Sequence, residues 1–227
     1  MKDIIKTLNE KVSVPGNDLK AKQMTEQILL KEPNNTKALV IICVYYFMLA
    51  DDATTRAIKI KYYDFAEHYA RKAIAIDGKT ADAHFFLGSC IGRCVELKGT
   101  LFALRNAKKG MREIEKTIEI DPNLTGDFDI RAKAVLGAYY ATLPSFLGGS
   151  IEKAEKILNE SMTLYPHLTL NYIELARVYI KQGKKEEVRK LLRQMLEVKE
   201  PYDKVDFVLY DMRDARILLE EIEGHNK

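Results

Sequence analysis

The chain of 227 residues carries a formal net charge of +3, from 36 basic and 33 acidic residues, and 47% of its residues are hydrophobic. This near balance of charge does not favour a nucleic-acid-binding protein, which usually has an excess or a stripe of basic residues. The three cysteines are too few for a disulfide framework and are predicted to be small core residues.

The first fifty residues predict three helices. MKDIIKTLNEKV alternates charged and apolar residues at helical spacing, which predicts a helix over 2–12 rather than a signal peptide. A second helix is predicted over 18–31. The apolar run at 38–50 is shorter than the roughly 20 residues that span a bilayer, so it predicts a buried helix and no transmembrane segment. As written, the sequence predicts a cytoplasmic protein, or a periplasmic or membrane-anchored one if a signal sequence has been removed.

A pattern of two helices joined by a turn recurs along the chain. The apolar end of one helix is followed by a turn residue and then by a new helix, because proline and glycine interrupt helices. These turn residues are separated by 44 or 45 residues, a period typical of helical solenoids. They are Pro33, Gly78, Pro122 and Pro166.

The segment AIAIDGKT at 73–80 resembles a phosphate-binding loop. Such a loop lies between a strand and a helix, whereas these residues continue a helical pattern, and Ala73 stands at the first glycine position. The segment therefore predicts a helix–helix turn with Lys79 at the surface. The sequence contains no other catalytic or metal-binding motif, so the chain is predicted not to be an enzyme and to bind no cofactor or metal.

Residues 168–201 resemble a tetratricopeptide repeat. Tyr172, Leu175, Ala176 and Tyr179 fall at its first-helix positions, and Gly183 makes the turn. Small residues recur at the matching positions of each unit, where two antiparallel helices cross closely. In the first helices these are Cys43, Gly88, Gly137 and Ala176. In the second helices they are Ala21, Ala66, Gly110, Ala154 and Val188.

The fold predicted from this register is all-α. It is a right-handed α-solenoid of about four tetratricopeptide-like helix pairs with lengthened inter-helix segments, N-terminal helices and a C-terminal capping helix. One domain is predicted over 1–227, with repeats at about 36–77, 80–121, 127–165 and 168–199. The capping helix is predicted over about 203–223. Its apolar stripe is Val205, Val208, Leu209, Met212, Ala215, Leu219 and Ile222.

The tetratricopeptide resemblance implies a groove lined by the first helices. The family's groove positions carry over to Val40, Val44, Phe47, Phe85, Ser89, Arg93, Ala134, Ala138, Ala141, Ile173, Arg177 and Lys181. The family's Lys/Asn clamp for a C-terminal carboxylate is missing. The lining is apolar with basic residues toward one end, which suits an amphipathic helix or a lipid-like molecule with an acidic end. The alternative is that Val40, Val44 and Phe47 fill a closed core.

The segments YYATLPSFLGGSIEKAEKIL (139–158) and DARILLEEIE (214–223) resemble the T component of tripartite ATP-independent periplasmic transporters. Leu-Pro-x-Phe-Leu-Gly-Gly, which includes Phe146, is the most specific element, and Ser150 after it is predicted to cap a helix. The resemblance implies a periplasmic substrate-binding protein as partner, a hydrophobic ligand and a homo-oligomer. The lengthened repeats also resemble the regulator of microtubule dynamics group, which consists of non-catalytic helical binders.

The sequence therefore predicts a non-catalytic scaffold associated with this type of solute transport. Its apolar groove would accept a partner segment or a hydrophobic ligand, through the groove positions given above together with Phe146. The alternative is a cytoplasmic protein–protein adaptor of the tetratricopeptide or regulator of microtubule dynamics type.

Overall fold

The computed structural model describes residues 17–126, 128–204 and 207–224. Within these ranges the regular elements are ten α-helices, two 3₁₀ turns and one π-helical turn, with no strands. The predicted helix over 2–12 lies outside the described residues. The helices are α1 (Asn17–Lys31), α2 (Thr36–Asp52), α3 (Arg56–Ile76), α4 (Ala81–Lys98), α5 (Thr100–Ile120), α6 (Ala132–Thr142), α7 (Ile151–Leu164), α8 (Thr169–Lys181), α9 (Lys185–Leu196) and α10 (Met212–Gly224).

The chain forms two compact units, one up to Ala132 and one from Lys133. In the first unit, α2 packs against α3, α3 against α4, and α4 against α5. Helix α2 is strongly apolar, and its residues from Ala38 to Tyr45 are all buried. Its N-terminus is capped by Asn35, whose side chain accepts a hydrogen bond from the amide of Ala38 at 3.0 Å.

The extra length of the early repeats lies mainly in their helices. Helices α2 to α5 have 17 to 21 residues, whereas α8 and α9 have 13 and 12. The connections are short, since Gly99 alone separates α4 from α5. Gly99 has φ of 82°, a left-handed conformation that glycine adopts without strain. The lengthened segments are thus extended helix pairs.

Two predicted small positions lie where partner helices touch. A Cβ atom built on Gly88 of α4 would lie 2.6 Å from Cδ1 of Ile114 and 2.9 Å from the carbonyl oxygen of Gly110, both on α5. One built on Gly137 of α6 would lie 2.6 Å from Cγ of Leu158 on α7. These distances are far below van der Waals contact, so glycine sets the close approach of each pair, as predicted.

In the second unit, α7, α8, α9 and α10 share one apolar core that includes Leu158, Ile173, Ala176 and Leu192. Helix α10 contributes Ala215, Leu218 and Ile222. The capping helix thus exists but begins at Met212, after a π-helical turn at Phe207–Asp211.

The apolar stripe predicted for the capping segment is wrong at Val208 and Leu209, and its first residue, Val205, lies outside the described residues. Val208 and Leu209 are 55% and 38% exposed. The π-helical turn accounts for this difference, because its wider winding breaks the 3.6-residue register that the stripe assumes.

The turn between α3 and α4 contains the sequence Gly-Lys-Thr. Lys79 is exposed there, and its amide donates a hydrogen bond to the Asp77 carboxylate at 2.9 Å. The prediction of a helix–helix turn is confirmed. Among the described helices, none is long and apolar enough to cross a membrane.

Candidate interaction surfaces

The predicted groove positions of the first unit lie largely in its core. Val40, Val44 and Phe85 are each 4% exposed and Ser89 is 6% exposed. Phe47 is half-buried, with its ring 5.4 Å from that of Tyr63. A partner could not reach the four buried side chains in this conformation. For Val40, Val44 and Phe47, this burial fits the closed-core alternative.

Arg93 is the exposed groove position of this unit. Its Nε atom lies 3.7 Å from Oδ1 of Asp51, which also accepts a hydrogen bond from the hydroxyl of Tyr63. Burial, followed by the Asp51 charge, raises the pKa of Tyr63. These three side chains link α2, α3 and α4, so Arg93 has a structural partner within the fold.

The predicted groove positions of the second unit also divide into buried apolar residues and more accessible basic residues. Ala134, Ala141 and Ile173 are buried and Ala138 is half-buried. Lys181 is exposed, and its Nζ donates to the carbonyl oxygen of Ala141 at 2.6 Å.

Arg177 of α8 connects this helix to α10. It pairs with Glu174 on its own helix and, through Nη2, with Asp214 of α10 at 2.8 Å. Arg177 thus holds the C-terminal helix and is not a free cation awaiting a ligand.

Replacement of Arg177 by alanine is expected to lower the free energy of unfolding by about 1 kcal/mol, because the ion pairs of Arg177 with the largely buried Glu174 and with Asp214 would be lost. Urea denaturation would measure this change. Arg216→Ala is the control, since Arg216 is exposed on α10, and its effect should stay within about 0.5 kcal/mol. Equal effects of the two variants would contradict a linking role for Arg177.

The Leu-Pro-x-Phe-Leu-Gly-Gly element forms a tight turn between α6 and α7. The amides of Leu147 and Gly149 donate to the carbonyl oxygen of Pro144 at 2.9 and 3.1 Å. Phe146 is 72% exposed at this turn. The Ser150 side chain accepts a hydrogen bond from the amide of Lys153, which confirms the predicted cap of α7.

Tyr46 of α2 contacts three aromatic side chains of α3, and we call the four the aromatic patch: Tyr46, Tyr62, Phe65 and Tyr69. The centroid of the Tyr46 ring lies 6.3 Å from Tyr62, 5.1 Å from Phe65 and 5.8 Å from Tyr69, with the last pair stacked. Phe65 is 41% exposed, and the other three are half-buried. The patch therefore has an ordered base and an accessible surface.

An open depression of about 620 Å³ adjoins the aromatic patch. Lys61 and Asp64 stand at it, and the Lys61 ammonium lies 6.0 Å from the centre of the Phe65 ring. Its lining residues are Ala57, Ile60, Lys61, Asp64, Phe65, His68 and Tyr69. Rigid aromatic surface with polar groups beside it is the composition of protein-binding hot spots.

The sequence predictions did not include the aromatic patch. Its signal was the spacing of Tyr62, Phe65 and Tyr69, which lie three and four residues apart and so share one face of a helix.

The three cysteines lie in the core of the first unit, as predicted. Burial raises the pKa of the Cys94 thiol to about 11, and it also raises that of Cys90. Thiols with raised pKa values are poor nucleophiles and metal ligands, so Cys90 and Cys94 contribute packing.

The comparisons with known proteins give a family and a fold. Residues 5–216 match the family described as Regulator of microtubule dynamics protein 1-3. No curated protein matches the chain significantly. The relation to the T component of tripartite transporters is not confirmed by these comparisons.

Solved structures of tetratricopeptide proteins are similar in fold. TTC0263, a thermophilic protein of this type from Thermus thermophilus, is 14% identical with a TM-score of 0.67, over 94% of this chain and 97% of its own. PilW, a type IV pilus biogenesis factor, is 20% identical with a TM-score of 0.60, over 98% and 92%. YrrB, described as having an unusual peptide-binding site, is 13% identical with a TM-score of 0.50, over 86% and 84%. The predicted all-α, tetratricopeptide-like solenoid class is confirmed.

Proposed function

Since the chain belongs to the regulator of microtubule dynamics protein 1-3 family, we propose that it is a non-catalytic scaffold that binds a partner protein through the aromatic patch. The observation that carries this proposal is the contact of Tyr46 with Tyr62, Phe65 and Tyr69 at an accessible surface. The rings hold one another in place, so a partner that covers them gains buried apolar area with little loss of side-chain entropy.

The chemistry of the depression indicates what such a partner would offer. An apolar side chain would fill the space beside Phe65 and Tyr69, and polar groups of the same segment would meet Lys61 and Asp64. The family description makes polymerised tubulin the first partner to test.

The double variant Phe65→Ser/Tyr69→Ser is expected to bind polymerised tubulin at least about tenfold more weakly than the natural chain, because it removes the accessible centre of the patch. Co-sedimentation over a range of tubulin concentrations would measure the affinities. Affinity capture with both chains, followed by quantitative mass spectrometry, would extend the comparison to other proteins.

Phe146→Ser is the matched control, since it removes an exposed aromatic ring from the second unit and leaves the patch intact. Its partners and affinities should equal those of the natural chain. If the Phe146 variant loses partners and the double variant keeps all of them, the aromatic patch is not the docking surface.

Association with solute transport is the second candidate function. The observation that favours it is Phe146, a large apolar side chain that a tightly hydrogen-bonded turn holds in solvent. Capture of a periplasmic substrate-binding protein that depends on Phe146 would support this candidate. Native mass spectrometry of the purified chain would test whether it binds a hydrophobic ligand. This part of the candidate function fails if no lipid or organic acid binds.

A further inference from the structure

Helix α5 presents a row of cations to solvent, which we call the basic stripe: Arg105, Lys108, Lys109, Arg112 and Lys116. All five are exposed. Arg105, Lys108, Arg112 and Lys116 follow one another at three- or four-residue steps, and Lys109 stands next to Lys108, so all five lie along one face of the helix. The opposite face, with Ala107, Gly110, Met111 and Ile114, is buried in the first unit.

The basic stripe is poorly neutralised by its own fold. Lys116 pairs with Glu119 at 3.5 Å, but no ion pair among the described residues includes the other four cations. The acid Glu113 faces away from the stripe, since it binds the ring of His84 at 2.7 Å. Burial of these four cations against a partner's acids would therefore replace no ion pair of the described residues.

The stripe has an apolar end. Leu101 and Leu104, in the first turns of α5, are 62% and 48% exposed. They lie on the same side of the helix as the cations, at the N-terminal end of the row. From Leu101 to Lys116 the helix rises about 22 Å, or about four turns.

We propose that the basic stripe docks an acidic amphipathic helix of a partner protein, with apolar residues at the end that meets Leu101 and Leu104. Carboxylates at steps of three and four residues on such a helix would match the spacing of the cations. This inference concerns a second surface and does not depend on the aromatic patch.

The placement of the leucines favours this occupant over other polyanions. A helix that lies in a membrane surface has apolar side chains along its whole length, whereas here they stand only at one end. Nucleic acid would meet the cations with phosphates but would leave both leucines without an apolar partner.

A synthetic helical peptide of about 18 residues, with glutamates at helical three- and four-residue steps and two leucines at one end, is the probe. We expect the triple variant Lys108→Glu/Lys109→Glu/Arg112→Glu to bind it at least about tenfold more weakly than the natural chain, since like charges would then face each other. Fluorescence anisotropy at low salt would measure the affinities.

The control variant Lys72→Glu/Lys79→Glu/Lys190→Glu makes the same change in net charge at exposed positions away from α5. Its affinity for the peptide should change less than about twofold. Circular dichroism would establish that both variants are folded. A second variant, Leu101→Ser/Leu104→Ser, should weaken binding of this peptide but not of one without leucines.

Three results would overturn the proposal. The first is equal binding of a peptide of the same composition with its glutamates spread around the helix. The second is equal affinity of the natural chain and the triple variant. The third is tighter binding to anionic phospholipid vesicles or to duplex DNA than to the peptide, which would make a membrane or nucleic acid the occupant.

Discussion

Replacement of Gly88 by valine is expected to lower the free energy of unfolding by about 3 kcal/mol. The first added carbon alone would lie 2.6 Å from Cδ1 of Ile114 and 2.9 Å from the carbonyl oxygen of Gly110. Ile114 is fully buried and Gly110 contributes backbone, so α4 and α5 must move apart and the core between them loosens. Urea denaturation followed by circular dichroism would measure the loss.

Gly78→Ala is the control for this variant. A Cβ atom on Gly78 would lie 3.8 Å from its nearest neighbour, the carbonyl oxygen of Ile74, so alanine fits and stability should change by less than about 1 kcal/mol. If Gly88→Val does not fold, Gly88→Ala offers a milder form, with an expected loss of about 1 to 2 kcal/mol. Equal stabilities of Gly88→Ala and Gly78→Ala would contradict a close helix crossing at Gly88.

The helix pairs could be predicted from the sequence because local rules determine them. Proline and glycine mark the turns, and small residues mark the crossings, as Gly88 and Gly137 do. Helix caps are also determined locally, and Ser150 caps α7 as its neighbours in the sequence predict.

The accessibility of the groove could not be predicted in this way, because it depends on packing between distant segments. Val44 and Phe85 stand at the groove positions of the repeat, but both are buried in the core of the first unit. The sequence alone predicts Arg177 as a basic residue of the groove. In the fold, α10 places Asp214 within 2.8 Å of it.

The basic stripe could not be predicted from the composition of the whole chain. The charge of the whole chain is nearly balanced, so the cations of α5 do not stand out in composition. Four of its five cations form a continuous surface because residues 105–112 contain no acid and Glu113 turns toward His84. Helical spacing, considered one helix at a time, would have found the stripe.

Asp129 makes the stability of the first unit depend on pH. Its side chain is fully buried at the start of the 3₁₀ turn Asp129–Arg131, and among the described residues neither carboxylate oxygen has a hydrogen bond of normal geometry. Burial, followed by the nearby charges of Asp82 and Asp121, raises its pKa to about 7. The amides of Gly126 and of Asp129 itself oppose this rise only in part.

The sign of the effect follows from the raised pKa. The folded chain holds the Asp129 proton up to about pH 7, whereas the unfolded chain releases it near the ordinary value of 3.8. This proton therefore stabilises the fold fully below the unfolded pKa, and the contribution is lost as the pH rises through the folded pKa. Between about pH 5 and pH 8 the expected loss is about 2 to 3 kcal/mol.

Asp129→Asn should remove this dependence, because an amide of the same shape carries no charge to desolvate. The variant is expected to match the natural chain most closely at about pH 5 and to exceed its stability by about 2 kcal/mol or more at about pH 8. Urea denaturation of both chains at several pH values would measure their free energies of unfolding. In the difference between the two chains, the contributions of all other titrating groups cancel. Glu160→Gln, an exposed change of the same kind on α7, should show no such trend. A difference between Asp129→Asn and the natural chain that stays constant with pH would mean that Asp129 does not hold its proton in the folded state.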